Sequence, residues 1–146
     1  MKITRETDHA IKCILYLSHC PDKYVPVAEI ATKNVIPRSF LAKILQKLSK
    51  LGVVESLQGN HGGFRLTRSP EKINVFEIFE AIQGAMIINE CVVDQQFCNR
   101  VKFCSIHPIW QEIKRDIEDK LTQTNFLMLS QQELQTRPQL LQQQED

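Results

Sequence analysis

Apolar positions recur at helical spacing in five places along the chain and alternate or cluster as strands in one. The first helix is predicted over residues 4–19, with Thr4 as N-cap and Ile11, Ile14, Leu15 and Ser18 on one side. Pro21-Asp22-Lys23 breaks it. Val25-Pro26-Val27 reads as a short extended piece, and a second short helix follows within residues 26–34, with Ile30 inward and Asn34 as its stop. Ile36-Pro37-Arg38-Ser39 opens a third helix to about Leu51, in which Leu41, Ile44, Leu45, Leu48 and Leu51 form an apolar face. Gly52 follows at the position where a left-handed residue closes a helix without a side-chain clash. Residues 53–58 and 64–67 then read as two strands joined by Gly59-Asn60-His61-Gly62-Gly63, a β-hairpin.

Beyond Pro70 a fourth helix is predicted over residues 75–83, with Val75, Ile78, Phe79 and Ile82 inward and Gly84 as its stop. Residues 85–107 show no period and read as a loop. Pro108 suits the first turn of a last helix running to about Leu129. Ile106, Trp110, Ile113, Ile117 and Leu121 step by three or four residues along it, a seam suited to pairing with a second copy of the chain. The glutamine-rich tail after Ser130 is expected to be only partly ordered. Three helices followed by a glycine-tipped hairpin is the order of a winged helix-turn-helix, so the expected fold is mainly α with a small β-hairpin wing and a long dimerisation helix. The expected organisation is a DNA-binding domain over 1–84, a cysteine-rich loop over 85–107, a dimerisation helix over 108–130 and a tail over 131–146.

Charge sharpens this picture through its distribution, because the net charge of the chain is only +1. Between Lys33 and Arg68 seven basic residues stand against Glu55 alone, whereas from Ser69 onward twelve acidic residues outnumber seven basic ones. Lys43, Lys47 and Lys50 share the polar face of the third helix. A basic segment on a near-neutral chain is the footprint of a phosphate-backbone partner, and equally of a solvated helix face. On the first reading Lys43, Lys47, Lys50 and Arg65 contact phosphates of double-stranded DNA. Arg38 and Ser39 lie nearest the bases, and the wing carries Asn60 and His61 to the minor groove or to phosphates.

The remaining chemistry is concentrated in the loop. Cys91, Cys98 and Cys104, with His107 three residues further on, offer three thiols and an imidazole. Such a set suits a soft metal or an iron–sulfur cluster. The gaps between the cysteines are six and five residues, against the two to four usual between paired ligands of structural zinc, which leaves zinc the weaker alternative. A disulfide switch between two of the three is a third possibility. Cys13 and Cys20, distant in sequence, are expected to be small buried side chains. His9 and His19 are expected to have no chemical role. Nothing in the chain pairs a nucleophile with a base or forms a phosphate loop, so no enzyme is expected. The alternative of another class is a cluster carrier without DNA binding. There is no apolar run of membrane-spanning length and no signal-peptide core, so a cytoplasmic protein is expected.

Several segments together resemble the Rrf2 family of bacterial transcription regulators (IscR-, NsrR- and RirA-like). They are Met1-Lys2-Ile3-Thr4, residues 36–41, residues 48–54, the wing Gly59-Asn60-His61-Gly62-Gly63-Phe64 and the three cysteines. The resemblance covers roughly residues 1–130. It implies a homodimeric winged-helix protein on near-palindromic promoter DNA, mostly a repressor, with a 2Fe–2S or 4Fe–4S cluster whose state governs DNA affinity. By motif position, Ser39, Phe40 and Lys43 fall where family members face DNA, with Arg38 beside them. The resemblance also suggests the fourth cluster ligand. His107 holds the position of the histidine ligand of IscR-like proteins, and Asp8 resembles the aspartate that NsrR-like proteins contribute from the partner subunit. The spacing from Cys91 to Cys98 is one residue longer than the family pattern.

Overall fold

The computed structural model describes residues 1–142, with side chains to residue 137. Helices α1 (Arg5–Ser18), α2 (Val27–Asn34) and α3 (Arg38–Lys50) precede a hairpin of β1 (Val54–Leu57) and β2 (Gly63–Leu66). Then follow α4 (Val75–Gln83), a single turn α5 (Glu90–Val93), α6 (His107–Gln123) and α7 (Phe126–Gln142). Short 3-10 turns lie at Pro70–Lys72, Gln95–Phe97 and Val101–Phe103. No helix among the described residues is long and apolar enough to cross a membrane.

The core follows the sequence pattern closely in its first half. Thr4 caps α1 by accepting from the Thr7 amide, and the buried stripe runs through Ala10, Cys13, Ile14 and Leu17, with Ile11 and Leu15 at its edge. Thr7 and the Thr4 amide both donate to Gln83 Oε1, at 2.9 and 3.0 Å, and so fasten the start of the chain to the end of α4. Leu41, Ile44, Leu45 and Leu48 bury α3 against this stripe. Leu51, predicted as the last core position, is 53% exposed because the helix ends at Lys50 and the chain turns away at Gly52 (φ +73°).

The wing is tied back into the domain by a contact the sequence did not announce. Val25 and Phe64 exchange both backbone hydrogen bonds at 2.9 Å, adding a third, one-residue strand to the hairpin. That approach is why glycine stands at 63. A Cβ there would sit 2.2 Å from the Val25 carbonyl oxygen, and the residue's φ is +153°. Gly62 is constrained in the same way by the Leu57 carbonyl, 2.1 Å from where its Cβ would be. Between α2 and α3 the chain turns at Val35, which adopts a left-handed conformation (φ 56°, ψ 48°) with its side chain 86% exposed. A β-branched residue is strained there.

The C-terminal region departs most from expectation. The single helix expected to Leu129 is interrupted at Thr124-Asn125, which is extended and pairs with residues 73–75: Val75 donates to the Thr124 carbonyl, and Phe126 to that of Ile73. Asn74 and Asn125, opposite one another in this bridge, each accept a hydrogen bond from the amide three residues on, the behaviour of an N-cap. The break lets Phe126 drop fully into the core. Helix α7 then folds back along α1, so residues 131–142 are helical where a partly ordered tail was expected. The boundary expected at 130 falls inside α7, and residues 143–146 lie outside the described part. The segment 85–107 is also more structured than a plain loop, since it holds α5 and two 3-10 turns.

Candidate nucleic-acid interface and cysteine loop

Burying Leu41, Ile44, Leu45 and Leu48 turns the opposite face of α3 to solvent. Arg38, Ser39, Lys43, Lys47 and Lys50 are all exposed there, as are Asn60 and His61 at the wing tip. A groove of about 930 Å³ runs between α3 and the wing. Arg38, Gln46, Ser49 and Lys50 line its helix side, and Ser56, Gln58 and Gly59 its wing side. Gln46 and Ser49 were missed by reading charge along the chain. Their signal was geometric, since both share the solvent face of α3 with Arg38.

Not every expected DNA contact is free to make one. Phe40 is half-buried against the core, and its ring meets His9 edge-on at 5.6 Å. Lys47 Nζ lies 2.5 Å from Glu6 Oε1 of α1. Arg65 does not line the groove. Its guanidinium pairs with Glu55 directly across the hairpin at 2.6 Å and lies 4.5 Å over the Tyr24 ring. The Arg65 hydrogen bond holds the Glu55 carboxyl below the usual carboxylate range, and Glu55 in turn stabilises the guanidinium cation. Arg65 therefore braces the wing, and any phosphate contact must compete with Glu55.

In the second region, Cys91 stands on α5, while Cys98 and Cys104 each directly follow a 3-10 turn. All five cysteines are free thiols, and the three of this segment are half-buried. His107 opens α6, is only 5% exposed, and has Nδ1 3.3 Å from Cys91 Sγ. The structure thus brings one thiol and the imidazole together. Among the described residues, no three His, Cys, Asp or Glu side chains gather closely enough to hold a metal ion. Asp8 pairs with Lys12 one turn along α1, at 2.6 Å, and its side chain is half-exposed. The donor set itself, three thiols and an imidazole, fits an iron–sulfur cluster in its chemistry. The backbone hydrogen bonds within the segment are all short-range, so Cys98 and Cys104 ride on backbone that local turns alone define. Phe97 and Phe103, immediately before these cysteines, are 65% and 73% exposed.

Outside the segment, Cys13 is fully buried, and burial pushes its thiol up to about 12. Cys20 is half-buried and shifted in the same direction, first by burial and then by Glu29. Cys13 matches the small buried side chain expected, whereas Cys20 is only partly covered. His19, expected to be idle, hydrogen-bonds Glu133 of α7 at 2.6 Å and helps pin that helix to α1. Along α6, Ile106, Ile109 and Ile113 are exposed, while Trp110, Ile117 and Leu121 are partly covered.

The sequence model of the Rrf2 family, described as an iron-dependent transcriptional regulator, matches residues 3–132. The chain is 38% identical over 113 residues to an HTH-type transcriptional regulator described from Aquifex aeolicus (strain VF5), covering 76% of this chain and 78% of that one. It is 31% identical over 123 residues to the HTH-type transcriptional regulator NsrR of Halalkalibacterium halodurans, covering 84% and 80%. Its fold is similar to that of CymR, the global cysteine regulator of B. subtilis. That match has a TM-score of 0.78 and 20% identity, and covers 90% of this chain and 97% of CymR.

Proposed function

The chain belongs to the Rrf2 family of transcriptional regulators, which are not enzymes, and from that premise we propose that it is a homodimeric, cytoplasmic repressor whose hold on promoter DNA depends on a group bound at its cysteine loop. The observation that carries this reading is the continuity from thiol to dimer helix. Cys91 touches His107, and His107 is the first residue of α6. Whatever fixes the thiols therefore fixes the start of α6. The exposed isoleucines of α6 are the surface through which a second copy would pair. Two recognition helices must match half-sites about one helical turn apart, so a small change in the α6 pairing alters DNA affinity.

On the DNA side, Arg38 and Ser39, at the N-terminal end of α3, are the candidates for base edges, with Gln46 beside them in the groove. Lys43, Lys47 and Lys50 serve phosphates, as do Asn60 and His61 from the wing. Arg65 contributes chiefly by holding the wing in shape. In the loop, Cys91, Cys98 and Cys104 would hold an iron–sulfur cluster, with His107 or the Asp8 of a second copy as the remaining ligand. Asp8 must leave Lys12 to do so, whereas His107 already lies beside a cluster thiol. A bound cluster would supply the loop with a group sensitive to redox state and nitric oxide.

The test is to purify the protein without oxygen, count iron and sulfide per chain, and measure binding to a duplex it selects from a random pool. Holo and apo forms should differ in affinity at every salt concentration. Equal affinity would remove the loop from regulation. A second reading, a metal-free thiol switch of the same fold, draws on the gathering of only Cys91 with His107. Protein that stays colourless after reconstitution with iron and sulfide, yet changes affinity on mild oxidation, would favour it. Colourless protein carrying stoichiometric zinc would make the loop a structural site.

A further inference from the structure

A second cavity lies away from both regions, between α1, the C-terminal end of α2 and α7. It encloses about 530 Å³, within the roughly 300–1,000 Å³ typical of small-molecule sites. Leu15, the Tyr16 ring and Leu134 supply its apolar wall. Its charged lining is unequal in commitment. Glu133 accepts from His19, and Lys12 is held by Asp8, each at 2.6 Å. Lys33 and Arg137 take part in none of the ion pairs among the described residues. Both cations therefore line the cavity without an ion-pair partner among the described residues, beside its apolar wall, and the single lining carboxylate is already engaged.

We propose that this cavity binds a small organic anion with an apolar body, its acid group held by Arg137 and Lys33 and its body lying against Leu15, Tyr16 and Leu134. A planar guanidinium receives a carboxylate through two parallel hydrogen bonds, and a lysine adds a point charge on a flexible stem. The ligand would join three elements at once. It clasps α7 to α1, and it touches Lys33 and Asn34 immediately before the strained turn at Val35 that leads into α3. Occupancy thus reaches the recognition helix by a route independent of the cysteine loop, and the proposal stands whether or not a cluster is bound.

The experiment is calorimetric titration of the purified full chain with 2-naphthoate, with decanoate and with the uncharged 2-naphthamide. At least one carboxylate should bind saturably and raise the thermal midpoint, as any ligand selective for the folded state does. 2-Naphthamide should bind about tenfold or more weakly than 2-naphthoate. The double variant Lys33→Ala/Arg137→Ala should lose about tenfold or more in carboxylate affinity while its ligand-free thermal midpoint is unchanged. Lys50→Ala, in the other groove, should bind as the parent does. Equal affinity for naphthoate and naphthamide, parental binding by the double variant, or no saturable binding of either carboxylate below about 10 mM would each overturn the proposal.

Discussion

In the winged-helix half, residues far apart in sequence hold one another: Thr7 to Gln83, Val25 to Phe64, Ile73 to Phe126. In the cysteine segment, backbone hydrogen bonds join residues three or four apart, such as Asn89 to Val92 and Arg100 to Phe103. The segment is pinned by buried side chains at its two ends, Met86 and His107, and carries exposed Val93, Phe97 and Phe103 between them. The difference separates tasks. On the proposed function, a DNA-reading surface must hold a fixed shape, whereas a segment that responds to a bound group must be cheap to rearrange, and such segments come from the low-stability end of a fold.

The sharpest way to break this comparison is to cut into both halves and read stability. Leu48→Ala, in the core of α3, should cost about 2–5 kcal/mol, and Gly63→Ala should be comparably disruptive because its Cβ would meet the Val25 carbonyl. Phe97→Ala and Phe103→Ala should stay within about 0.5 kcal/mol of the parent in urea unfolding. A loop variant as costly as Leu48→Ala would show that the segment is part of the cooperative core. Cys98→Ser then separates function from fold. It should abolish iron and sulfide incorporation with no change in the unfolding midpoint of the apo protein.

Lys47→Ala should weaken binding to all duplexes and flatten the logarithmic salt slope by about one unit. Glu6→Gln should strengthen binding, because Lys47 no longer has to leave a carboxylate. An unchanged slope in Lys47→Ala would mean that Lys47 stays with Glu6 in the complex.

The thiols offer a milder comparison between the same two regions. Alkylation of the folded apo protein should label Cys91, Cys98 and Cys104 first and Cys13 only on unfolding. Rapid labelling of Cys13 would contradict its burial. The sign of the linked pH effect follows. The Cys13 thiol ionises near 9 when unfolded and near 12 when folded, so above pH 9 the unfolded chain releases its proton first. Cys13 thus adds stability that is complete below pH 9 and is lost as pH rises toward 12. Cys13→Ala should show a shallower fall over that window. A modest gain is expected at the turn into α3: Val35→Asn should stabilise by about 1 kcal/mol by relieving the left-handed strain.

Much of the architecture could be read from single residues and their neighbours. Thr4 as cap, Gly52 as helix stop, the Leu41–Leu48 face and the glycine-tipped hairpin depend on interactions within a few residues, and these the linear order preserves. The exposed basic face of α3 followed from the same periodicity, because burying one side of a helix dictates the other. What required the folded molecule was every feature made by distant segments. The break at Thr124-Asn125 exists because residues 73–75 offer an extended partner and Phe126 a place in the core. The helical pattern runs on to Leu129 without betraying it. The engagement of Arg65 with Glu55 and Tyr24, and of Lys47 with Glu6, divides residues that a charge count treats alike. The proposed cluster ligands Cys91, Cys98, Cys104 and His107 were plain as a donor set, since ligand chemistry is a property of residue type. Which of them meet is a matter of position in space, and there only Cys91 and His107 are brought together, by the packing that buries the start of α6.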